Sequence, residues 1–356
     1  MATARITQID GWRAVAVIGV MWVHWTPASW RWHIPFEIGL FFFLTLTGFL
    51  ITRILLRDRE AGEATGEGWR RATYRMFLTK RFSRILIPCY AAMLFALLLG
   101  APDIRKHPIV YALHVSNFHM ADLAVWPSGT APFWSLAMQM QFYVFWPLLV
   151  FLLPKRFYGL GFSACVAVAP VSRWIADRYF PEIENPQAIT ACSLDYFAGG
   201  ALLALWIHRG MRPGNPKLRA AAWAAFVGYA VIYTIQSSGH KLPIAGCFQQ
   251  TLLTFAMVGL ISSTLAGFSG PLGRALDHPA AQHIGKISYG LYLFHALVPM
   301  LLGWVLPQLW KPEWNGWIKG PRIVIYTLVA WLLGWLCWRW LEGPERVRFL
   351  ASRKPR

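Results

Sequence analysis

Charged residues are scarce in this sequence. They make up 14% of its 356 residues, whereas soluble domains average roughly 25%. Acidic residues are the fewer of the two signs, with 16 Asp and Glu against 34 Lys and Arg, while 56% of the chain is hydrophobic. Little hydrophilic sequence is left for a second, soluble domain. The composition therefore predicts an integral membrane protein with a single domain over residues 1–356.

The sequence also lacks motifs for disulfides, metal ligation, signal-peptide cleavage and recognition of nucleic-acid bases. The five cysteines lie singly in apolar runs, with no metal-ligand spacing and no disulfide framework. The first apolar run lacks a small-residue cleavage site, which argues against a removable signal peptide. A net charge of +18 would suggest nucleic acid in a soluble protein, but no base-reading motif accompanies it. We expect no metal and no nucleic acid, and a lipid bilayer as partner.

Ten apolar runs of about 20 residues predict an all-α, polytopic membrane protein with about ten transmembrane helices. With ten spans, 25 of the 34 Lys and Arg fall on the side of the N-terminus. The positive-inside rule assigns that side to the cytoplasm, so both termini are predicted to be cytoplasmic. The runs lie at residues 11–31, 35–56, 83–99, 134–153, 159–176, 188–207, 218–236, 244–266, 286–306 and 321–341.

Two connecting segments are long enough to need a prediction of their own. Residues 57–80 are rich in Arg and contain Trp and Tyr, which predicts a cytoplasmic amphipathic loop on anionic lipid. Residues 100–133 are predicted to form a periplasmic or re-entrant loop, because the histidine-containing stretch 107–125 is too polar to cross. An eleventh span there would place the later basic loops on the wrong side of the membrane.

The first apolar run carries two ionisable residues, Arg13 and His24. Such residues are costly inside a membrane and usually serve function. Eleven positions of helix place them on one face, about 16 Å apart along the axis. This predicts a catalytic base, His24, near the middle of the membrane, with Arg13 as an anion anchor at the mouth. A topology anchor and a core histidine explain the same two residues equally well.

A second basic feature is the pair Arg81 and Arg84, which share a helix face because they are three positions apart. Guanidinium groups grip phosphate through forked hydrogen bonds, so the pair suits a phosphorylated ligand. Anchoring of the membrane topology by basic residues is the alternative interpretation.

Polar residues at helical spacing indicate a wall for a polar substrate. Ser135 and Gln139 are four positions apart in one run, and Ser288, Tyr292 and His295 form one stripe in another. Hydrogen bonds between helices are the alternative use of such groups.

Together these motifs resemble the acyltransferase-3 family of membrane acyltransferases, which acylate bacterial polysaccharides, lipopolysaccharide, peptidoglycan and some small molecules. The resemblance extends over nearly the whole chain. It is carried by Asp10-Gly-Trp-Arg13 ahead of His24, Phe-x-x-x-Thr-Gly-Phe-Leu-Ile ending at Ile51, Arg81-x-x-Arg84, Trp134-Ser-Leu, Ile287-Ser-Tyr-Gly-Leu-Tyr-Leu-Phe-His295 and Glu342-x-Pro344.

The resemblance implies a multi-pass enzyme of the bacterial cytoplasmic membrane. Such an enzyme would move an acyl group, expected to be acetyl, from cytoplasmic acyl-CoA to a hydroxyl of a cell-envelope or exported glycan. It implies catalytic roles for His24 and Arg13 and acyl-CoA binding by Arg81 and Arg84. The acceptor path would be lined by Ser135, Gln139, Ser288, Tyr292 and His295.

Two other functions stay open besides acyl transfer. Gln139 stands where the family commonly has glutamate, and an amide cannot accept a proton, so an impaired relative that only binds partners is one alternative. Another is a polytopic transporter or flippase in which His24 and His295 relay protons. Neither an inverted repeat nor a matching pair of Gly- or Pro-broken helices is visible to support transport.

Overall fold

The computed structural model describes residues 7–26, 34–240, 242–307 and 319–342, and within these ranges every regular element is helical. The prediction of an all-α protein is thereby confirmed for the described chain. The helices are α1 (Thr7–Trp25), α2 (Ile38–Glu63), α3 (Trp69–Leu98), α4 (Pro102–Lys106), α5 (Pro108–Ala112), α6 (Ser116–Ala121), α7 (Phe133–Leu152), α8 (Tyr158–Tyr179), α9 (Leu194–His208), α10 (Pro216–Ser237), α11 (Pro243–Ala266), α12 (Gly270–Asp277), α13 (Pro279–Phe294), α14 (Val298–Val305) and α15 (Lys319–Cys337), which continues as a π-helical turn, Trp338–Glu342.

Eight helices of the described chain are long and apolar enough to cross a membrane, or nine if α13 and α14 are one bent span. These helices and α1 correspond one by one to the ten predicted runs. The first helix is less apolar, because Asp10, Arg13 and His24 lie within it. The protein is therefore a multi-pass membrane protein. The count of ten crossings and the cytoplasmic side of both termini stay predictions.

The segment 57–80, predicted as a loop, is mostly helical. α2 continues to Glu63 and α3 begins at Trp69, so only residues 64–68 connect them. The segment is rich in Arg, Glu and Ala, which favour helix. In addition, Arg59 Nε forms an ion pair with Glu63 Oε1 one turn later, at 2.7 Å.

Residues 100–133 form no helix long enough to cross a membrane. Instead they contain α4, α5 and α6, which have only 5, 5 and 6 residues. Each of these helices is far shorter than the roughly 20 residues that a crossing requires. The segment joins the end of α3 to the start of α7, and its periplasmic or re-entrant placement stays a prediction.

The run predicted as one span over 286–306 is broken. α13 ends at Phe294, α14 begins at Val298, and the two axes differ by 63°. Pro299 lacks the amide hydrogen that a continuous helix would donate to the His295 carbonyl. The indole Nε1 of Trp25 donates to that oxygen instead, at 3.1 Å. The tip of α1 thus satisfies the backbone at the break.

Glycines bring two helix pairs into backbone contact. A Cβ added at Gly48 of α2 would overlap the carbonyl oxygen of Phe197 in α9, and one at Gly285 of α13 would overlap that of Asp10 in α1. Small residues at such positions are the usual means of close packing between membrane helices. These contacts fix where the neighbouring side chains Thr47 and Lys286 lie.

The carboxylate of Asp195 is buried in α9 and pairs with a base on another helix. Arg173 of α8 donates from Nη2 to Asp195 Oδ2 at 2.9 Å, and Thr251 of α11 donates to the same oxygen at 2.7 Å. A buried carboxylate needs such partners. This network joins α8, α9 and α11 away from the cavity described next.

Candidate functional site

A cavity of about 970 Å³ lies between α1, α2, α3, α7 and α13 and reaches the π-helical turn that follows α15. The residues that line it come from distant parts of the sequence, and most of the predicted site residues are among them. Of the nine predicted site residues, Arg13, Arg81, Arg84, Ser135, Gln139, Ser288 and Tyr292 line it. His24 and His295 do not.

Five cations line this cavity: Arg13, Arg53, Arg81, Arg84 and Lys286, which we call the cationic cluster. Among the residues that the structure describes, only two carboxylates, Asp10 and Glu342, line it as well. The cluster therefore leaves an excess of positive charge inside a largely apolar helix bundle. An excess of this kind attracts an anionic ligand strongly, because water screens it less than it screens a surface charge.

The two carboxylates orient part of the cluster without neutralising all of it. Arg13 Nη1 pairs with Asp10 Oδ1 at 3.0 Å, one helical turn away. Glu342 interacts electrostatically with Arg84 and Arg13 from the end of the chain's last described helix. Within the described ranges, neither Arg81 nor Arg84 forms an ion pair with a carboxylate. Their guanidinium groups remain available for phosphate.

A polar wall continues from the cationic cluster along α7. Gln139 donates from Nε2 to Thr47 Oγ1 at 3.0 Å and to the Tyr143 hydroxyl at 2.7 Å. All three side chains line the cavity. Because the amide donates both bonds, a glutamate at this position would have to reverse them and accept from both hydroxyls.

Two further hydroxyls line the cavity next to this wall. Ser135 Oγ and the Tyr292 hydroxyl are 2.6 Å apart, and both lie near the carbonyl oxygen of Pro132, at 3.1 and 3.3 Å. Ser288, one turn before Tyr292, is fully buried, and its hydroxyl has no hydrogen-bond partner among the described residues. Buried hydroxyls are usually paired. Ser288 is therefore free to bind a polar group in the cavity.

His295 and His24, which we call the histidine pair, lie beyond Tyr292. Their rings meet edge to face with centroids 4.8 Å apart. His295 is fully buried at the break between α13 and α14, and its Nδ1 is 2.8 Å from the Tyr292 carbonyl oxygen. A carbonyl can only accept, so this nitrogen carries the proton and Nε2 is left as an acceptor. Tyr292 lines the cavity, and its ring centroid is 5.6 Å from that of His295, so it lies next to both.

The predicted position of His24 needs correction. His24 is the second-last residue of α1 and is exposed, rather than buried halfway along a span inside the cavity. The reason is that α1 ends at Trp25 instead of continuing to residue 31, two residues ahead of Pro27; the residue before a proline is disfavoured in a helix. Residues 27–31, the last part of the predicted run, lie outside the described ranges.

Sequence reasoning missed two members of the cationic cluster, Arg53 and Lys286. In the sequence, both count only as basic residues that set the topology. The available signal was that the ten-span topology places them on the same side as Arg13, Arg81 and Arg84. Which of these cations turn inward depends on helix packing, which a single sequence does not specify.

Comparison with known proteins finds relatives across almost the whole chain. A family model described as an acyltransferase domain matches residues 6–339. The chain is 27% identical to the peptidoglycan O-acetyltransferase OatA of Listeria monocytogenes, covering 96% of this chain and 56% of that protein. It is 25% identical to YrhL of Bacillus subtilis, named as a candidate peptidoglycan O-acetyltransferase, covering 98% of this chain and 56% of the relative. The chain thus spans about half the length of these relatives. No solved structure matches it.

Proposed function

Because this chain belongs to the acyltransferase-3 family of membrane acyltransferases, we propose that it is an O-acetyltransferase that moves an acetyl group from cytoplasmic acyl-CoA to a hydroxyl of a cell-envelope glycan. The observation that carries the proposal is one cavity with five cations at one end and a hydroxyl-bearing wall that leads to the histidine pair. The relatives named for peptidoglycan make peptidoglycan fragments the first acceptors to test.

The cationic cluster suits the donor in this proposal. Coenzyme A carries several phosphate charges on one end and its thioester on the other, so a site for it needs cations at the mouth and a neutral channel beyond. Arg81 and Arg84 would hold the phosphates through charge-assisted hydrogen bonds. Arg13 is placed by Asp10 to add a third cation. The thioester arm would then lie along Gln139 and Ser288.

The histidine pair suits the transfer step. The acceptor oxygen attacks the thioester carbonyl carbon, a C–O bond forms, the C–S bond breaks, and the hydroxyl proton passes through an imidazole to the leaving sulfur. His24 would act as the base, with His295 beside it. A covalent variant, in which His24 first takes the acetyl group and then gives it to the acceptor, uses the same residues. In both variants the thioester must pass the contact between Ser135 and Tyr292.

One feature favours transport as the second candidate. α13 and α14 form a broken helix pair with a histidine at the break, an arrangement that many transporters use for their binding sites. A transporter would move its substrate without changing its covalent bonds. The two functions are distinguished by whether the acetyl group is transferred to the acceptor without the rest of the donor, which only an acetyltransferase would do.

The experiment uses the purified full chain in lipid nanodiscs with two preparations of acetyl-CoA, one labelled in the acetyl group and one in the adenine ring. De-acetylated peptidoglycan fragments and other envelope glycans are supplied as acceptors. We expect glycan that carries the acetyl label and not the adenine label. Unlabelled glycan together with intact thioester, across the whole acceptor panel, would overturn the proposal. Arg75→Ala, an exposed arginine of α3 outside the cavity, is the control variant.

A further inference from the structure

A cluster of metal-ligand side chains lies outside the cavity, in the segment 100–133. The cluster consists of Asp103 in α4, His107 directly after it, and His119 in α6. One ligand atom from each residue lies within 4.8 Å of the other two. The proposed acetyl transfer uses none of these three side chains. From this geometry we propose that Asp103, His107 and His119 bind a divalent transition-metal ion such as Zn²⁺.

The local fold explains why the three side chains meet. Asp103 and His107 are four positions apart, and the backbone amide of His107 donates to the Asp103 carbonyl at 2.9 Å, so one helical turn places both on one face. His119 returns to this face because the backbone turns between the short helices. The ring centroids of His107 and His119 are 4.4 Å apart, and His119 Nε2 is 3.1 Å from Asp103 Oδ1. A hydrogen bond between Asp103 and His119 alone leaves the position of His107 unexplained.

The donor set matches known metal chemistry. Two imidazoles and one carboxylate are a common set for zinc with three protein ligands, in which water or another ligand takes the open position. The same set also suits other borderline divalent ions. The side chains of His119 and Asp103 are 21% and 18% exposed, so an ion would be reachable from solvent yet largely enclosed by protein.

A second ring of contacts supports the carboxylate. Tyr111 donates a hydrogen bond to the other oxygen of Asp103, and its hydroxyl lies 3.0 Å from that of Thr130. Outer contacts of this kind orient metal ligands, and their loss typically lowers affinity about 10- to 100-fold. The Tyr111 ring also packs edge to face against Phe133, the first residue of α7, at 5.9 Å.

These contacts indicate what the ion would do. Asp103 is linked through Tyr111 to the start of α7, and Ser135, two residues further, is the partner of Tyr292. An ion that ties α4, α5 and α6 together would therefore hold the start of α7 in place. The metal serves as a structural clamp here, and the inference is independent of the acetyl transfer proposed above. It departs from the expectation, drawn from the sequence, that the protein binds no metal.

The test measures Zn²⁺ and Co²⁺ binding to the full chain in detergent, purified with a tag that contains no histidine. We expect one Zn²⁺ per chain and a visible Co²⁺ absorption band without thiolate charge transfer, because the ligands are imidazole and carboxylate. His107→Ala with His119→Ala should abolish both. Tyr111→Phe should weaken Zn²⁺ binding about tenfold. His240→Ala, which removes an exposed histidine outside the cluster, should bind as the parent does.

Two results would overturn the proposal. One is a parent protein that binds no stoichiometric Zn²⁺. The other is a double variant that binds Zn²⁺ with the parent's affinity. Size-exclusion elution identifies a variant that has failed to fold. In that case the Co²⁺ spectrum of the parent, together with His119→Gln, decides the question, since the spectrum reports the ligand type without any substitution.

Discussion

The two ends of α1 carry different kinds of chemistry. Near its start, Arg13 belongs to a cationic cluster with a positive excess. At its end, His24 meets a buried histidine that also contacts the Tyr292 ring and the Tyr292 carbonyl oxygen. About 16 Å of helix separates the two. In the proposed function, anion binding and group transfer would fall to separate residues, so each should be removable without the other.

The helix packed against α1 repeats this division. α13 carries Lys286 in the cationic cluster and leads to His295 at its other end, with Ser288 and Tyr292 between them. Gly285 brings α13 into backbone contact with α1 near Asp10, and His295 meets His24 further along the two helices. The substitutions below test whether the two ends are as separate as their positions indicate.

The largest effect is expected at the histidine end. His24→Ala removes the proposed base, and loss of general-base catalysis typically lowers turnover about 10²- to 10⁴-fold. Binding of acetyl-CoA should be unchanged, because the cationic cluster is intact. Acetyl transfer and equilibrium binding of labelled acetyl-CoA are measured in parallel, with His240→Ala as the control. Turnover that survives the substitution would remove His24 from the mechanism.

At the other end, Arg84→Ala should act on binding and hardly on turnover. A hydrogen bond to a charged group contributes about 1.5–3 kcal/mol, so affinity for acetyl-CoA should fall about tenfold or more. The rate at saturating donor should change little. Arg75→Ala removes a charge from the same helix outside the cavity and should leave the affinity within about twofold. Equal losses in both variants would mean that only net charge matters.

A smaller effect is expected at the contact between Ser135 and Tyr292, which lies between the cationic cluster and the histidine pair. Tyr292→Phe and Ser135→Ala each remove the hydrogen bond between these hydroxyls, whose net contribution is about 1 kcal/mol. Each should change the rate of acetyl transfer about fivefold, and the double variant should add little to either single one. Fully additive effects would show that the two hydroxyls act independently and that their contact does not separate the cavity from the histidine pair.

The last effect concerns local stability rather than acetyl transfer, at a buried histidine outside both ends. Burial lowers the pKa of His114 to about 4, whereas an unfolded histidine titrates near 6.5. As the pH falls, His114 is therefore protonated in the locally unfolded form before it is protonated in the native form. The stability that His114 contributes is present above pH about 6.5 and is lost as the pH falls towards 4. Hydrogen exchange of residues 108–121, corrected for intrinsic rates, should show protection falling over this range.

The matched variant for this measurement is His114→Asn. The backbone of His114 has a positive φ of 53°, a conformation that asparagine tolerates better than most residues. Asparagine does not titrate, so this part of the pH dependence should disappear. An unchanged pH profile would show that His114, which packs beside the Tyr90 ring, does not control the local stability.

The sequence was most informative where helices are regular. Residues three or four positions apart share a face, and Arg81 with Arg84, Ser135 with Gln139, and Ser288 with Tyr292 do line one cavity. The ten apolar runs likewise correspond to helical segments, because burial of apolar side chains in lipid and the helical period are both local properties of the sequence.

Sequence reasoning failed where the outcome depends on an interruption or on a partner. The end of α1 at Trp25 and the break after Phe294 are set by local prolines together with the indole of Trp25, which is distant in sequence from His295. The inward direction of Arg53 and Lys286 follows from packing between helices. The resemblance to a family indicated roles for residues but not which of them lie in the cavity.

The backbone contacts at Gly48 and Gly285 limit how this protein can change its substrate range over evolution. Where the main chains of two helices touch, no side chain lies between them. A substitution therefore cannot bring the helices closer together by shortening such a side chain, or change their spacing by replacing it. The frame is thus fixed, and new specificities must arise from the residues that face the interior, such as Leu136 and Leu46. Substitution of these lining residues, with the helix positions unchanged, would then determine which length of acyl donor fits.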